Sequence, residues 1–152
     1  MKNLKQIFST LSRHDGSSIL ETALVMPVML LMVMSTVDFG HAFCVAIEVA
    51  SAAHAGAVYG IQNPTDTAGM EAASKLDAPD VSTLTPVATY GCECSDGSAA
   101  VASCTAPPAC TYNYVSYVSV TTTATYTPLI QYPGIPHSLT LTSTARMRAG
   151  GD

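Results

Sequence analysis

The chain has 152 residues, of which 48% are hydrophobic and only 11% are charged, whereas an ordinary soluble domain has about 25% charged residues. Its length suits a single domain. A formal net charge of -5 argues against a nucleic-acid-binding protein, which needs basic residues to contact phosphates. The high apolar content argues against a disordered chain.

Residues 1–16 form a short basic leader, which holds three of the six basic residues of the chain, Lys2, Lys5 and Arg13. Residues 17–37 carry only one charge, that of Glu21. A helix of about 20 predominantly apolar residues can cross a bilayer. We therefore predict a transmembrane helix over 17–37, in preference to a buried core helix or a cleaved secretory signal. The basic leader predicts a cytoplasmic N-terminus and an extracytoplasmic body.

Glu21 is unusual because an ionised carboxylate within an apolar segment is costly unless it meets a cation or reaches the interface. It lies four residues after Ser17, and residues at this spacing share one helix face. Cleavage after Gly16 would give Ser17 a new α-amino group. We expect this ammonium group to neutralise the carboxylate, within one subunit or between neighbouring subunits.

The basic leader, Gly16, Glu21 and the apolar helix together resemble the prepilin signal of type IV pilins. With Pro27 and Asp38-Phe39-Gly40, the segment more narrowly resembles the start of TadE-like proteins of the tight-adherence (Flp) pilus system. The resemblance implies that a prepilin peptidase cuts between Gly16 and Ser17. It also implies that Glu21 serves pilus assembly.

Nothing interrupts the helical pattern before Asn63-Pro64, so the helix is predicted to continue to about Tyr59. We assign residues 38–62 to an extracytoplasmic extension of this helix. Small side chains allow helices to approach closely, and a predicted small-residue stripe consists of Ala46, Ala50, Ala53 and Ala57. Cys44 is predicted to be a small buried residue.

Three polar residues of this extension, His41, Glu48 and His54, could suggest a metal site. Zinc-binding helices use two ligands four residues apart, and these three residues lack that spacing. We interpret them as solvated or subunit-facing side chains, and we predict no metal and no cofactor.

Residues 63–152 are predicted to form a disulfide-clasped α+β body. A short helix is expected from Asp66 to Asp77, with Thr65 as a candidate cap and an apolar face formed by Met70, Ala73 and Leu76. Alternating residues predict strands at about Thr83–Cys92, Tyr112–Thr127 and Ser138–Arg148. The last two should form an antiparallel pair whose buried face is covered by the helix extension. The inward side chains of this pair are predicted to be Val118, Val120, Ala124, Tyr126, Leu139, Leu141, Ala145 and Met147.

Four cysteines precede the long strand, Cys92, Cys94, Cys104 and Cys110. Their spacing differs from the paired C-x2-C pattern of zinc sites, and the predicted extracytoplasmic location favours oxidation. We therefore predict two disulfides. Cys92 and Cys94 share a strand face and are poorly placed to bond each other. Two pairings remain, 92–104 with 94–110 or 92–110 with 94–104, and each bridge should add about 2–4 kcal/mol of stability.

A cysteine-rich stretch before a Val-Thr-rich strand is also similar to many TadE-like proteins, so the resemblance extends over nearly the whole chain. The implied fold is pilin-like: a long transmembrane helix continuing into an extracytoplasmic helix that packs on a small antiparallel sheet. No phosphate-binding loop, nucleophile motif or paired carboxylates are present in the sequence, so no enzymatic activity is expected.

The first functional hypothesis is a minor pilin-like subunit or assembly factor of a tight-adherence type IV pilus. It would reside in the bacterial inner membrane as a single-pass protein and act by helix–helix packing. Its partners would be other pilin-like subunits, the pilus assembly platform, the prepilin peptidase and the lipid bilayer, with no nucleic acid. The alternative is an uncleaved membrane-anchored binding module on the cell surface or in the periplasm.

Overall fold

The computed structural model describes residues 15–131, 134 and 136–149, and the surroundings of side chains from residue 18 onward. Helix α1 extends from Asp15 to Gln62 and helix α2 from Thr67 to Asp77. The strands are β1 (Thr85–Cys94), β2 (Ala100–Val101), β3 (Tyr114–Tyr126) and β4 (Leu139–Ala149). The predicted α+β class, with a long apolar N-terminal helix before a small antiparallel sheet, is confirmed.

The described chain divides into two compact units, one ending at Gly40 and the other beginning at His41. The first unit contains the apolar part of α1, which continues through Pro27 without interruption. The second contains the remainder of α1, helix α2 and all four strands. Most of the predicted leader, residues 1–14, lies outside the described part of the chain.

The sheet is antiparallel throughout and has the strand order β2-β1-β3-β4. The predicted pairing of the two long strands is confirmed, with Val120 opposite Ala145 and Thr123 opposite Thr142. β2 is an additional strand that the sequence did not indicate, because two residues are too few to show an alternating pattern.

The predicted inward face of β3 is correct: Val118, Val120, Ala124 and Tyr126 are all buried. Thr122, in the same row, is also fully buried, and its Oγ1 donates a hydrogen bond of 2.7 Å to the Val49 carbonyl of α1. This bond satisfies a hydroxyl that would otherwise be costly to bury. On β4, the alternation is also as predicted, except that Leu139 at the end of the strand is exposed.

The extension of α1 covers the sheet, as expected. Val49 and Ala52 pack with Leu84 and Ala124 in one core cluster, while Ala57 packs with Met70, Ala88, Val118 and Val120 in a second. The small residues bring the helix close to its neighbours: a Cβ built at Gly60 would lie 3.1 Å from a Val118 methyl and 2.8 Å from Met70 Sδ.

The predicted alanine stripe was only half right. Ala53 and Ala57 are buried, but Ala50 is exposed and Ala46 is half-buried. The buried row instead consists of Val49, Ala52, Ala53, Gly56, Ala57 and Gly60. Spacings of three and four residues keep this row on one face of a helix, and the inclusion of glycines moves the face away from the one that alanines alone suggested.

Helix α2 is confirmed, but its cap is Asp66, not Thr65. The Asp66 carboxylate accepts hydrogen bonds from the Gly69 N–H at 2.9 Å and the Tyr59 hydroxyl at 2.8 Å. These two donors hold the pKa of Asp66 below its usual range, the Gly69 N–H contributing most. The capping carboxylate therefore ties the start of α2 to the end of α1.

The predicted apolar face of α2 was wrong at one position. Met70 is fully buried, but Leu76 is 80% exposed. Ser74 takes the inward place instead, and its Oγ donates to the Met70 carbonyl at 3.1 Å. A small hydroxyl side chain fits there because Gly56 of α1 lies directly against it.

Candidate functional site

The apolar part of α1 presents large side chains to its surroundings. Every described side chain from residue 18 to residue 34 is exposed, and the most apolar 18-residue window has a mean hydropathy of 1.9 with no residue buried. A core helix of a soluble protein would be mostly buried. Length and composition therefore make this a helix able to cross a membrane.

Three hydroxyl side chains of this segment are satisfied within the helix itself. Thr22, Ser35 and Thr36 each donate to the backbone carbonyl four residues earlier, at 2.9, 2.7 and 2.9 Å. Such bonds satisfy the hydroxyl donors of these three residues. The surface that a lipid or a neighbouring helix would meet is consequently apolar at these positions as well.

Glu21 is the exception to this apolar surface. Its side chain is exposed and forms no hydrogen bond or ion pair within the described part of the chain. Gly16 and Ser17 lie in the first turn of α1, so Ser17 and Glu21 share a helix face at their four-residue spacing. The processing site and the assembly carboxylate therefore lie within one short helical segment, and their roles remain predictions.

A second apolar surface lies farther along α1, within the unit that begins at His41. Phe43 is 68% exposed and Ile47 is 54% exposed, and Val58 and Ile61 are exposed as well. We call these four residues the outer stripe. Together with His54 they are separated by four, seven, four and three residues, so they lie on one face of the helix. The predicted alanine stripe did not include these residues, although the periodicity of the large residues would have revealed the outer stripe.

Two disulfides clasp the β region, as predicted. They join Cys92 to Cys104 and Cys94 to Cys110, which is one of the two pairings that the sequence left open. The fold decides between them because Cys92 lies opposite Val101 of β2, so the chain leaving β2 returns Cys104 to the side of Cys92. Both Cys92 and Cys94 are buried.

Cys44 does not behave as expected. The sequence predicted a small buried residue, but Cys44 is a free and exposed cysteine. The buried row of α1 begins at Val49 on another face of the helix, where Val45 is half-buried. A periodic pattern that includes the glycines of α1 would have placed Cys44 off the buried face.

The polar residues considered for a metal site do not converge. His41 packs edge-on against the Tyr126 ring, with ring centroids 5.5 Å apart. Among the described residues, no group of three or more metal-ligating side chains lies together. His41 therefore contributes an aromatic contact to the core boundary.

A charged cluster that the sequence did not indicate lies on the face of the sheet that α1 does not cover. Glu93 of β1 accepts hydrogen bonds from both Arg146 and Arg148 of β4, the Arg148 bond being 2.8 Å long. The Arg146 guanidinium also lies 3.8 Å from the centroid of the Tyr117 ring on β3. The sequence shows two arginines at alternate positions of one predicted strand, which places them on one face of the sheet. It does not show their common partner, because that depends on the strand order.

Comparison with known families gives a match over most of helix α1. The sequence model of the family described as TadE-like protein matches residues 16–58. Over this segment the chain is similar to TadE-like proteins. The match includes Gly16, Ser17, Glu21 and three of the four outer-stripe residues, all except Ile61, and it ends within α1, before the sheet.

The TadE-like match supports involvement with the tight-adherence pilus system and membrane anchoring through α1. Pilus components are accordingly the class of partner that the TadE-like segment suggests. No curated protein and no solved structure matches the chain.

Proposed function

We propose that this TadE-like chain is a minor pilin-like subunit or assembly factor of a tight-adherence type IV pilus. It would be cut between Gly16 and Ser17 by a prepilin peptidase and held in the bacterial inner membrane by α1. The sheet-bearing body would lie outside the cytoplasm, where its disulfides form. The proposal assigns the chain a role in packing and no catalytic step.

The observation that carries this proposal is the outer stripe. A bilayer requires about 20 apolar residues, and residues 18–37 of α1 already supply that number. Phe43 and Ile47 come after this length and are still 68% and 54% exposed. A simple membrane anchor has no need of large apolar side chains there, whereas a helix that packs against other pilin-like helices needs them.

Processing supplies the second part of the proposal. An exposed carboxylate in an apolar helix is costly unless it meets a cation or reaches the interface, and no cation lies beside Glu21 in the described part of the chain. The α-amino group created at Ser17 would share its helix face. The pairing of this group with Glu21, within one subunit or between two, gives cleavage a direct role in assembly.

A paired-variant piliation assay tests the packing role. Phe43→Ser with Ile47→Ser should abolish or strongly reduce pili while the protein still accumulates in the membrane. Leu76→Ser is the matched control, because Leu76 is 80% exposed but lies on α2, away from the stripe. Normal piliation in the double variant, or an equal loss in the control, would contradict the proposed packing surface.

The intact mass of the protein from native membranes tests processing. A chain beginning at Ser17 is the expected result, and a chain beginning at Met1 would instead support the uncleaved anchored module.

Glu21→Ala should insert and be processed normally but impair piliation, with Glu48→Gln as a control carboxylate on the same helix. Unchanged piliation in Glu21→Ala would remove the assembly role of this residue.

A further inference from the structure

The two edges of the sheet differ in how their backbone groups are used. On the β1 edge, Pro86 has no N–H to offer, and the Ala88 N–H donates to the Glu71 carboxylate of α2 at 3.2 Å. Farther along this edge, Cys92 pairs with β2 and the Cys94 N–H bonds within the turn that precedes β2. Devices of this kind prevent an edge strand from pairing with another chain.

The β4 edge has no comparable cover. The Ser143 and Ala149 carbonyls point toward β3, where they accept the hydroxyls of Thr122 and Ser116. Backbone groups alternate in direction along an antiparallel strand, so the outward-pointing residues are Thr140, Thr142, Thr144, Arg146 and Arg148. In the part of the chain that the structure describes, no backbone hydrogen bond leaves β4 on this side.

The side chains along this edge define what an added strand should look like. On the helix-covered face, Leu141, Ala145 and Met147 are only half-buried, so apolar side chains from a further strand would complete their cover. On the opposite face, the threonines and arginines of β4 are exposed. A strand that alternates apolar and polar residues matches both faces.

The charge of the edge adds a further requirement. Glu93 is shared by Arg146 and Arg148, so the cluster has one positive charge in excess, and the two arginines retain 46% and 56% of their side-chain exposure. These arginines lie at the C-terminal end of β4. An antiparallel strand would therefore place its first residues beside them, where acidic side chains are favoured.

A second copy of this chain fits the edge poorly. Along α1, His41 lies beside Tyr126 and Gly60 lies beside Val118, so this part of α1 runs antiparallel to β3 and parallel to β4. Two antiparallel β4 strands would place the His41 ends of the two copies at opposite ends of the joint sheet. Chains anchored in one membrane need these ends on the same side. A parallel pair would place the apolar rows on opposite faces.

We propose that the β4 edge accepts an extended strand from a different polypeptide, antiparallel to β4, with alternating apolar residues and acidic residues in its first positions. The outward groups of β4 would form roughly ten ladder hydrogen bonds with such a strand. The blocked β1 edge limits the addition to one strand. This proposal is independent of the pilus role, because it uses neither Glu21 nor the outer stripe.

The test uses a fluorescent nine-residue peptide and the full chain in detergent micelles. The peptide carries glutamate at its first and third positions, threonine at its fifth and seventh, lysine at its ninth and Val or Ile at the even positions. Anisotropy should show saturable binding, and hydrogen exchange should show that the amides of Thr142 and Thr144 become at least tenfold more protected. Absence of binding at millimolar peptide would overturn the proposal.

Matched peptides test the direction of the ladder. N-methylation at the fifth position removes an N–H that should face β4 and is expected to weaken binding at least tenfold. N-methylation at the sixth position removes an N–H that should face away and is expected to have little effect. Equal affinity of the two methylated peptides, or stronger binding after both glutamates are replaced with lysine, would contradict the proposed register and charge.

A protein variant gives an independent check. Thr142→Pro removes one outward N–H while keeping the ladder to β3, as proline can occupy the solvent side of an edge strand. It should weaken peptide binding at least tenfold, whereas Thr123→Lys on the central strand should not. If Thr142→Pro binds as well as the native chain, or if the native chain dimerises through β4, the edge is not an acceptor for a foreign strand.

Discussion

The two parts of helix α1 are similarly apolar but have different surroundings. From residue 18 to residue 34 every described side chain is exposed, and the residues are mostly large, such as Leu24, Met29 and Leu31. In the part that begins at His41, one face is fully buried and consists mainly of small residues, including Ala52 and Ala57.

This difference shows that side-chain size separates two kinds of apolar helix surface. Large side chains expose much area and gain most when lipid or a partner covers them. Small side chains bury little area individually but let a helix backbone lie directly on a sheet, so that larger sheet residues fill the space. The same substitution in the exposed part of α1 and in the body tests this difference at three pairs of residues.

The largest contrast is expected between two methionines. Met70 is fully buried in the second core cluster, so Met70→Ala should destabilise the body by about 2–5 kcal/mol because it leaves a cavity. Met29 is 57% exposed, and Met29→Ala should change the free energy of unfolding of the body by less than about 0.5 kcal/mol. Denaturant unfolding of the full chain in micelles measures both. A comparable loss in the two variants would mean that the body does not have its own core.

Two helical glycines give the next contrast. A Cβ at Gly56 would collide with Ser74 Oγ and lie 2.8 Å from the Met70 carbonyl oxygen, so Gly56→Ala should cost about 1–3 kcal/mol through overpacking. At Gly40, apart from the adjoining residues and nearby helix backbone, no described heavy atom lies within 4 Å of the corresponding position. Gly40→Ala should therefore be neutral or slightly stabilising, because alanine favours a helix by roughly 1 kcal/mol over glycine. Thermal unfolding of both variants decides whether the buried row requires glycine at residue 56.

Two threonine hydroxyls provide a smaller contrast. The Thr122 hydroxyl joins the sheet to α1 through the Val49 carbonyl, and Thr122→Val should cost about 1 kcal/mol while nearly preserving volume. The Thr36 hydroxyl bonds only to its own helix, at the Met32 carbonyl. Thr36→Val should leave the stability of the body unchanged. If Thr122→Val is neutral in chemical denaturation, this hydrogen bond does not help to fix α1 on the sheet.

The smallest expected effect concerns acid. The pKa of Asp66 is lowered in the folded state by the Gly69 N–H and then by the Tyr59 hydroxyl. The stabilisation by this cap is therefore present above the pKa of about 3.9 that the carboxyl group has in the unfolded chain. It is lost as the pH falls through the lower pKa of the folded state. Between pH 6 and pH 3, the melting temperature of Asp66→Asn should fall less than that of the native chain. An identical loss in both would show that this cap does not contribute to acid sensitivity.

Much of the fold followed from local pattern. Period-two alternation identified β3, β4 and their buried faces, and the Asn63-Pro64 breaker located the end of α1 to within a few residues. Thr122 was missed because it lies in an otherwise apolar row, between Val120 and Ala124, and the acceptor of its hydroxyl lies on a helix more than 70 residues earlier in the chain. Leu76 was wrongly predicted to face inward. Ser74 takes the inward position instead, because the close approach of Gly56 leaves room only for a small side chain there.

The sequence by itself determined the apolar segment, its single carboxylate, the glycine before it and the need for two disulfides, because these depend on composition and short spacing. Only the tertiary structure decided the cysteine pairing, the contact of the glycine-containing face of α1 with the sheet and α2, and the contrast between the two sheet edges. Each of these depends on which distant segments meet. The strand order β2-β1-β3-β4 places Glu71 against one edge and leaves the other edge open, and no local pattern encodes that order.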